Sequence, residues 1–248
     1  MSLTRRELIG TAIGGAALAA TGGLPRPALG QAAAARPPGH VVLLGDSIFD
    51  NKRFVGRGRA IVDQLGDALP AGWKATLLAA ANMPVRQMLR QQVQRIPQDA
   101  TCLVLCAGGV NAILGLINVR PSPNPLQQLK QDRDGFERDY GALVAGLIAT
   151  KKSLVLCTIP APDFANPNLG NIAVVGELGL PLFNDVVTKT AVANGLPLLD
   201  LRLVVQGKPD HAADGLHLSP AGGKKVAERL ARIVLEHDFA HPQSVAYF

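Results

Sequence analysis

The sequence predicts an α/β fold, a three-layer α/β/α sandwich in which five parallel strands lie between two layers of helices. Three features of the 248 residues point to it. Five short runs are continuously apolar and end in Gly, Pro, Asn or Asp, which is how strands buried on both faces read. Apolar residues spaced every three or four positions fill the gaps between them. Strand and helix therefore alternate, and alternation gives a parallel sheet covered on both faces.

Composition fits that reading. The chain is 48% hydrophobic and 18% charged, with 26 Gly and 18 Pro, so it is globular rather than disordered. Aromatic content is 4%, with one Trp and two Tyr. The core must therefore be aliphatic, and material for a stacked-base platform is lacking. The formal charge of +6 is partly carried by Arg5, Arg6 and Arg26 near the start. So mild an excess favours neither a nucleic-acid partner nor a membrane surface. Cys102, Cys106 and Cys157 sit in apolar runs without metal-ligand spacing and read as small buried hydrophobes.

Taken in order, the chain opens with an address. Residues 3–30 carry Arg5-Arg6 before Leu8 and Ile9, then an Ala/Gly/Leu-rich stretch, then small residues at Ala28 and Gly30. That order of regions predicts a twin-arginine export signal over 1–30, cut near Gly30 or within 32–35, and a periplasmic or extracellular mature protein without a membrane span. Residues 31–39 read as a linker, because Pro37 and Pro38 cannot continue a helix. One domain follows over 40–248.

Its strands are expected at 41–45, 75–80, 101–107, 153–159 and 196–200. Helices are expected where Ile61, Leu65 and Leu69, then Val85, Leu89 and Val93, then Phe136, Tyr140, Val144 and Leu147 repeat, and again at about 181–194 and 220–236. Ser219 before Pro220 makes an N-cap and first-turn pair for the last helix. Segments 118–134 and 160–181, rich in Pro, are expected as long loops beside the site.

In an open parallel sheet the binding crevice lies at the carboxyl ends of the strands. Ser47 follows the first strand in Gly45-Asp46-Ser47-Ile48, and Asn111 follows the third in Gly108-Gly109-Val110-Asn111. Asp214 and His217 precede the last helix in Asp214-Gly215-Leu216-His217. A serine hydroxyl attacks well only when a base takes its proton, and an imidazole is a good base only when an acceptor holds its other nitrogen. Ser47 is therefore the expected nucleophile, His217 the base and Asp214 its orienting acid. Asp46 reads as a structural acceptor for turn amides.

Over about residues 40–238 the sequence resembles the SGNH hydrolases, also called GDSL lipases and esterases. The resemblance rests on Gly45-Asp46-Ser47-Ile48, the Gly-Gly-Val-Asn segment, and Asp214-Gly215-Leu216-His217-Leu218-Ser219-Pro220. It implies a flavodoxin-like five-stranded sandwich and hydrolysis of carboxylic esters through an acyl-enzyme on Ser47, with no metal or organic cofactor. It also implies an oxyanion hole built from the Ser47 amide, a glycine amide after the second strand, and an asparagine side chain after the third. Here Asn82 stands where that glycine is expected. The third block can be aligned to give Asn111 as donor, losing only a following aspartate, or to place Val110 at the asparagine position. The expected substrate is a small-molecule, glycan or lipid ester.

Other readings attach to the same residues. The irregular oxyanion segment allows a non-catalytic relative that binds a ligand or glycan in the old pocket. Asp210, His211, Asp214 and His217 could be a metal cluster in a metal-dependent hydrolase. Lys52, Arg53, Arg57 and Arg59 could favour an anionic substrate, although a solvated charged face is the commoner origin of such a run. Gly56-Arg57-Gly58 lacks the preceding strand of a dinucleotide fingerprint. His237 and His241 read as an exposed polar end.

Overall fold

The computed structural model describes residues 37–119, 121–170 and 172–248. The expected export signal and most of the expected linker lie outside the described residues. Six strands form one sheet: β1 His40–Gly45, β2 Lys74–Leu77, β3 Cys102–Cys106, β4 Ser153–Cys157, β5 Leu198–Leu199 and β6 Ala246–Tyr247. Their order is β2-β1-β3-β4-β5-β6 and every pairing is parallel. The helices are α1 Ile61–Ala68, α2 Val85–Gln91, α3 Gly109–Val119, α4 Pro125–Ile148, α5 Ile172–Ala193, α6 Leu201–Val204 and α7 Pro220–Glu236.

Side chains on a strand point alternately to opposite faces, so continuous apolarity fills two cores at once. Val41 and Leu43 of β1, Val104 of β3 and Val155 of β4 face one layer, which includes Ile61, Leu65, Val226 and Leu230 of α1 and α7. Val42, Leu44, Leu103, Leu105 and Leu156 face the other, which includes Met88, Tyr140, Leu143 and Phe183 of α2, α4 and α5. The three cysteines are buried in the first core. Among the described residues no helix is long and apolar enough to cross a membrane.

Four expectations need correction. The sheet has a sixth strand: the Leu198 and Asp200 amides donate to Val245 and Tyr247 carbonyls at 2.9 and 2.8 Å. A two-residue strand carries no periodicity to detect. The same tail buries His237, 4% exposed, with its Nδ1 2.9 Å from the Tyr247 hydroxyl, whereas His241 is exposed as expected. Segment 118–134 is not all loop, because α4 starts at Pro125. Its first turns show charges instead of an apolar stripe, supported by i,i+4 pairs such as Lys130–Asp134 and Arg133–Glu137. Likewise 160–181 turns helical at Ile172, and α5 continues through Pro181, a residue that ordinarily ends a helix.

The N-cap of α7 forms as expected, the Ser219 hydroxyl accepting from the Gly222 amide at 3.1 Å. Neighbouring strands β1 and β3 end level, Gly45 beside Cys106. Strand order reverses at this point, with β2 on one side of β1 and β3 on the other. The crevice at such a switch point is where ligands bind.

Candidate active site

Gly45 is required where β1 ends. Its φ of +136° suits glycine, and a Cβ would lie 1.7 Å from the Cys106 carbonyl oxygen. The buried Gln92 side chain brackets this residue, accepting from the Gly45 amide at 2.8 Å and donating to its carbonyl at 2.7 Å. Asp46, 1% exposed, then fixes the turn. Its Oδ1 accepts from the Ile48 amide at 3.2 Å, and its Oδ2 from Gly109, Gly108 and Val110 at 2.9, 3.2 and 3.4 Å. Burial pushes this carboxyl above its ordinary range, against the pull of the four amides. Asp46 thus ties the turn after β1 to the start of α3.

Ser47 stands at the crest of that turn. Its hydroxyl lies 2.9 Å from His217 Nε2, and His217 Nδ1 lies 2.6 Å from Asp214 Oδ2. With Nδ1 donating to the carboxylate, Nε2 presents its lone pair to the serine proton, the arrangement a general base needs. Asp214 Oδ1 accepts from the Leu216 and His217 amides at 2.9 and 3.0 Å. Burial would raise the Asp214 carboxyl, but the bonds from the His217 ring and the two amides outweigh it and hold it below the usual carboxylate range.

The loop carrying this pair is fastened to the segment after β4. Asp163 N donates to Gly215 O at 2.8 Å, and the side-chain Nδ2 groups of Asn166 and Asn168 donate to Ala213 O at 3.2 and 3.1 Å. Three residues that the sequence reading did not single out also hold the site. Phe54 stacks on the His217 ring, centroids 3.4 Å apart and 6° between planes. Asp50, on the turn that carries Ser47, accepts from the Ala81 amide at 2.9 Å, and Gln92 clamps Gly45. An uncommon aromatic seven residues after Ser47 was the available signal for Phe54. For Gln92 it was an amide among the apolar positions of a helix.

Asn82 follows Ala81 with φ +61°, the left-handed region. Asparagine is the side chain that tolerates this conformation best, so the turn keeps a glycine-like backbone without glycine. Asn111 anchors its carboxamide oxygen on the Val85 amide at 3.0 Å. Among the described residues, the amides of Ser47 and Asn82 and the Asn111 Nδ2 have no acceptor. Val110 turns its backbone amide to Asp46. A β-branched side chain cannot adopt the Asn82 conformation without strain. Asn82→Val is therefore expected to cost about 1–2 kcal/mol in chemical denaturation, while Asn82→Gly keeps full stability; equal stability for all three proteins would contradict this.

The four residues considered as a metal cluster are drawn apart. Both His211 ring nitrogens face carbonyl oxygens, Gly207 at 2.8 Å and Ala161 at 3.0 Å. Asp210 Oδ2 accepts from the Gln206 amide and Lys225 at 2.8 and 2.7 Å, while Asp214 holds His217 Nδ1 and His217 turns to Ser47. Among the described residues no group of three or more His, Cys, Asp or Glu side chains could hold a metal ion. Lys52, Arg53, Arg57 and Arg59 are exposed, Arg59 pairing with Asp67 and Arg53 lying 5.1 Å over the Phe54 ring.

Beside Ser47 opens a small cleft, partly open to solvent, between α3, α5 and the segment after β4. Apart from Ser47, every side chain lining it is apolar.

Solved structures of the same fold include a lipase, Lip_vut3, from a goat rumen metagenome, 12% identical with TM-score 0.64 over 80% of this chain and 99% of that one. An acetyl xylan esterase, AlAXEase, is 20% identical with TM-score 0.59 over 79% and 99%. A phospholipase A1 from Streptomyces albidoflavus NA297 is 16% identical with TM-score 0.56 over 82% and 100%. No curated protein matches the sequence. The GDSL-like Lipase/Acylhydrolase family model matches residues 43–225, a span that includes Ser47, Asp214 and His217, and the chain belongs to that family of hydrolases.

Proposed function

We propose that this hydrolase is an exported serine esterase that cleaves carboxylic esters through an acyl-enzyme on Ser47. The observation that carries the reading is the unbroken relay from Ser47 Oγ through His217 to Asp214, at 2.9 and 2.6 Å, at the mouth of an apolar cleft. Ser47 Oγ attacks the ester carbonyl carbon as His217 Nε2 takes its proton. The carbonyl oxygen becomes an oxyanion, for which the free donors are the amides of Ser47 and Asn82 and the Asn111 carboxamide. Each such donor is worth roughly 10²–10³ in rate. The intermediate collapses, the C–O bond to the alcohol breaks, and Nε2 returns its proton to the leaving oxygen. Water, deprotonated by the same nitrogen, then releases the acid and restores Ser47. The twin-arginine pattern at Arg5-Arg6 supports export, and the chemistry needs no metal or organic cofactor.

An alkyl fluorophosphonate tests this. Ser47 Oγ would attack phosphorus, fluoride would leave, and the peptide carrying Ser47 would gain the phosphonyl mass as hydrolysis of p-nitrophenyl esters stops. The same mass spectra, taken on protein recovered outside the cytoplasm, should show an N-terminus near residue 31. A folded protein that neither reacts nor hydrolyses any ester would favour the ligand-binding reading. Activity lost to EDTA would favour a metal, and an intact Met1 would count against export.

A further inference from the structure

Phe54 and His217 meet face to face. Their ring centroids lie 3.4 Å apart with 6° between planes, so the two rings stand almost directly above one another. Two neutral aromatic rings pack poorly this way, because their π faces repel, and they slide to an offset or turn edge-on instead. A cation centred over a ring face is the partner that gains from such an arrangement. The His217 ring becomes that partner only when Nε2 holds the proton of Ser47.

Contacts outside the stack set its geometry. Phe54 ends a single 3-10 turn, Lys52–Phe54, and its amide donates to the Asn51 carbonyl at 2.9 Å. Asn51 is buried, and its carboxamide accepts from the Ile61 amide at 3.0 Å and donates to the carbonyl of Leu218, the residue after His217, at 3.5 Å. The His217 ring is held in turn by Asp214 at Nδ1 and by Ser47 at Nε2.

His217 is 9% exposed, so water screens its ring poorly and a charge appearing there gains from the Phe54 face. Arg53 Cζ also lies 5.1 Å from the Phe54 centroid, but that side chain is exposed and its charge is screened. Resting on the ester-hydrolase reading, we propose that Phe54 is a positioning residue of the reaction, acting through His217. Its ring face stabilises the imidazolium formed when Nε2 takes the proton of Ser47, and again when it takes that of water. The neutral ring of the resting enzyme gains little from the same contact. The benefit therefore falls on the transition state and enters kcat, not KM.

The test is kcat and KM for p-nitrophenyl butyrate, measured on the wild type, Phe54→Tyr, Phe54→Leu and a protein carrying a trifluorinated phenylalanine in place of Phe54. Leucine fills similar space without a π face and should lower kcat by about tenfold at unchanged KM. Tyrosine keeps the face and should stay within about twofold of the wild type. The fluorinated ring keeps the shape of phenylalanine while fluorine draws charge from its face, so kcat should fall toward that of Phe54→Leu. This protein separates the charge on the ring from its bulk, and keeps the inference open to test should leucine impair folding. Wild-type kcat in the fluorinated protein, or equal kcat for leucine and tyrosine, would overturn the inference and leave the esterase reading standing. A folded wild type inert to the ester would overturn that reading, and the inference with it.

Discussion

Replacing Ser47 with alanine is expected to lower kcat for ester hydrolysis by about 10⁶-fold, the scale seen when a serine nucleophile is removed from a triad that acts as a unit. The serine oxygen is the atom that would bond to the acyl carbon, and no other hydroxyl lines the cleft. Stability should barely change, because the turn is held by Asp46 and Gln92, while the Ser47 side chain bonds only to His217. Active-site titration alongside thermal unfolding would check both statements. A variant keeping a hundredth of the wild-type rate at unchanged fold would show that Ser47 is not the nucleophile.

Asp214→Asn separates the orienting role of the carboxylate from its structural one. Asparagine can keep its oxygen on the Leu216 and His217 amides, as Asp214 Oδ1 does now. The NH₂ then faces His217 Nδ1 and donates to it, which moves the ring proton to Nε2, opposite Ser47. The imidazole stays in place in the wrong tautomer, and kcat should fall about 10⁴-fold with the loop intact. Steady-state kinetics would measure the loss, and the Nδ1 and Nε2 resonances of His217 would show which nitrogen carries the proton. Wild-type kinetics with the proton on Nε2 would overturn the assignment.

The central sheet and the meeting of Ser47, His217 and Asp214 were legible in the sequence because both depend on short-range signals. Runs such as 101–107 are apolar throughout only when both faces are covered, and Asp214 precedes His217 by one helical turn's length of chain. What was not legible depends on tertiary context. The first turns of α4 are rich in Gln and charge after Pro125 and read as loop, although pairs such as Lys130–Asp134 support a helix there. Pro181 reads as a boundary, yet packing of Leu180 and Phe183 in the core carries α5 through it. Asn82 replaces a glycine of the family pattern, and only its φ of +61° reveals that the conformation survived the change of residue. The contribution of Phe54 depends on a stack with a residue more than 160 positions away, which no local pattern announces.

The relay joins residues 170 positions apart, one after the first strand and the other before the last helix. On the ribosome the proposed nucleophile, Ser47, therefore emerges long before its proposed base, His217. On the proposed mechanism, Ser47 of a nascent chain stays an ordinary serine until His217 has been made and folded against it. The same logic runs backwards under proteolysis or denaturant. On the proposed mechanism, loss of the segment that carries His217 would leave Ser47 without its base, so ester hydrolysis would report on both ends of the domain being folded.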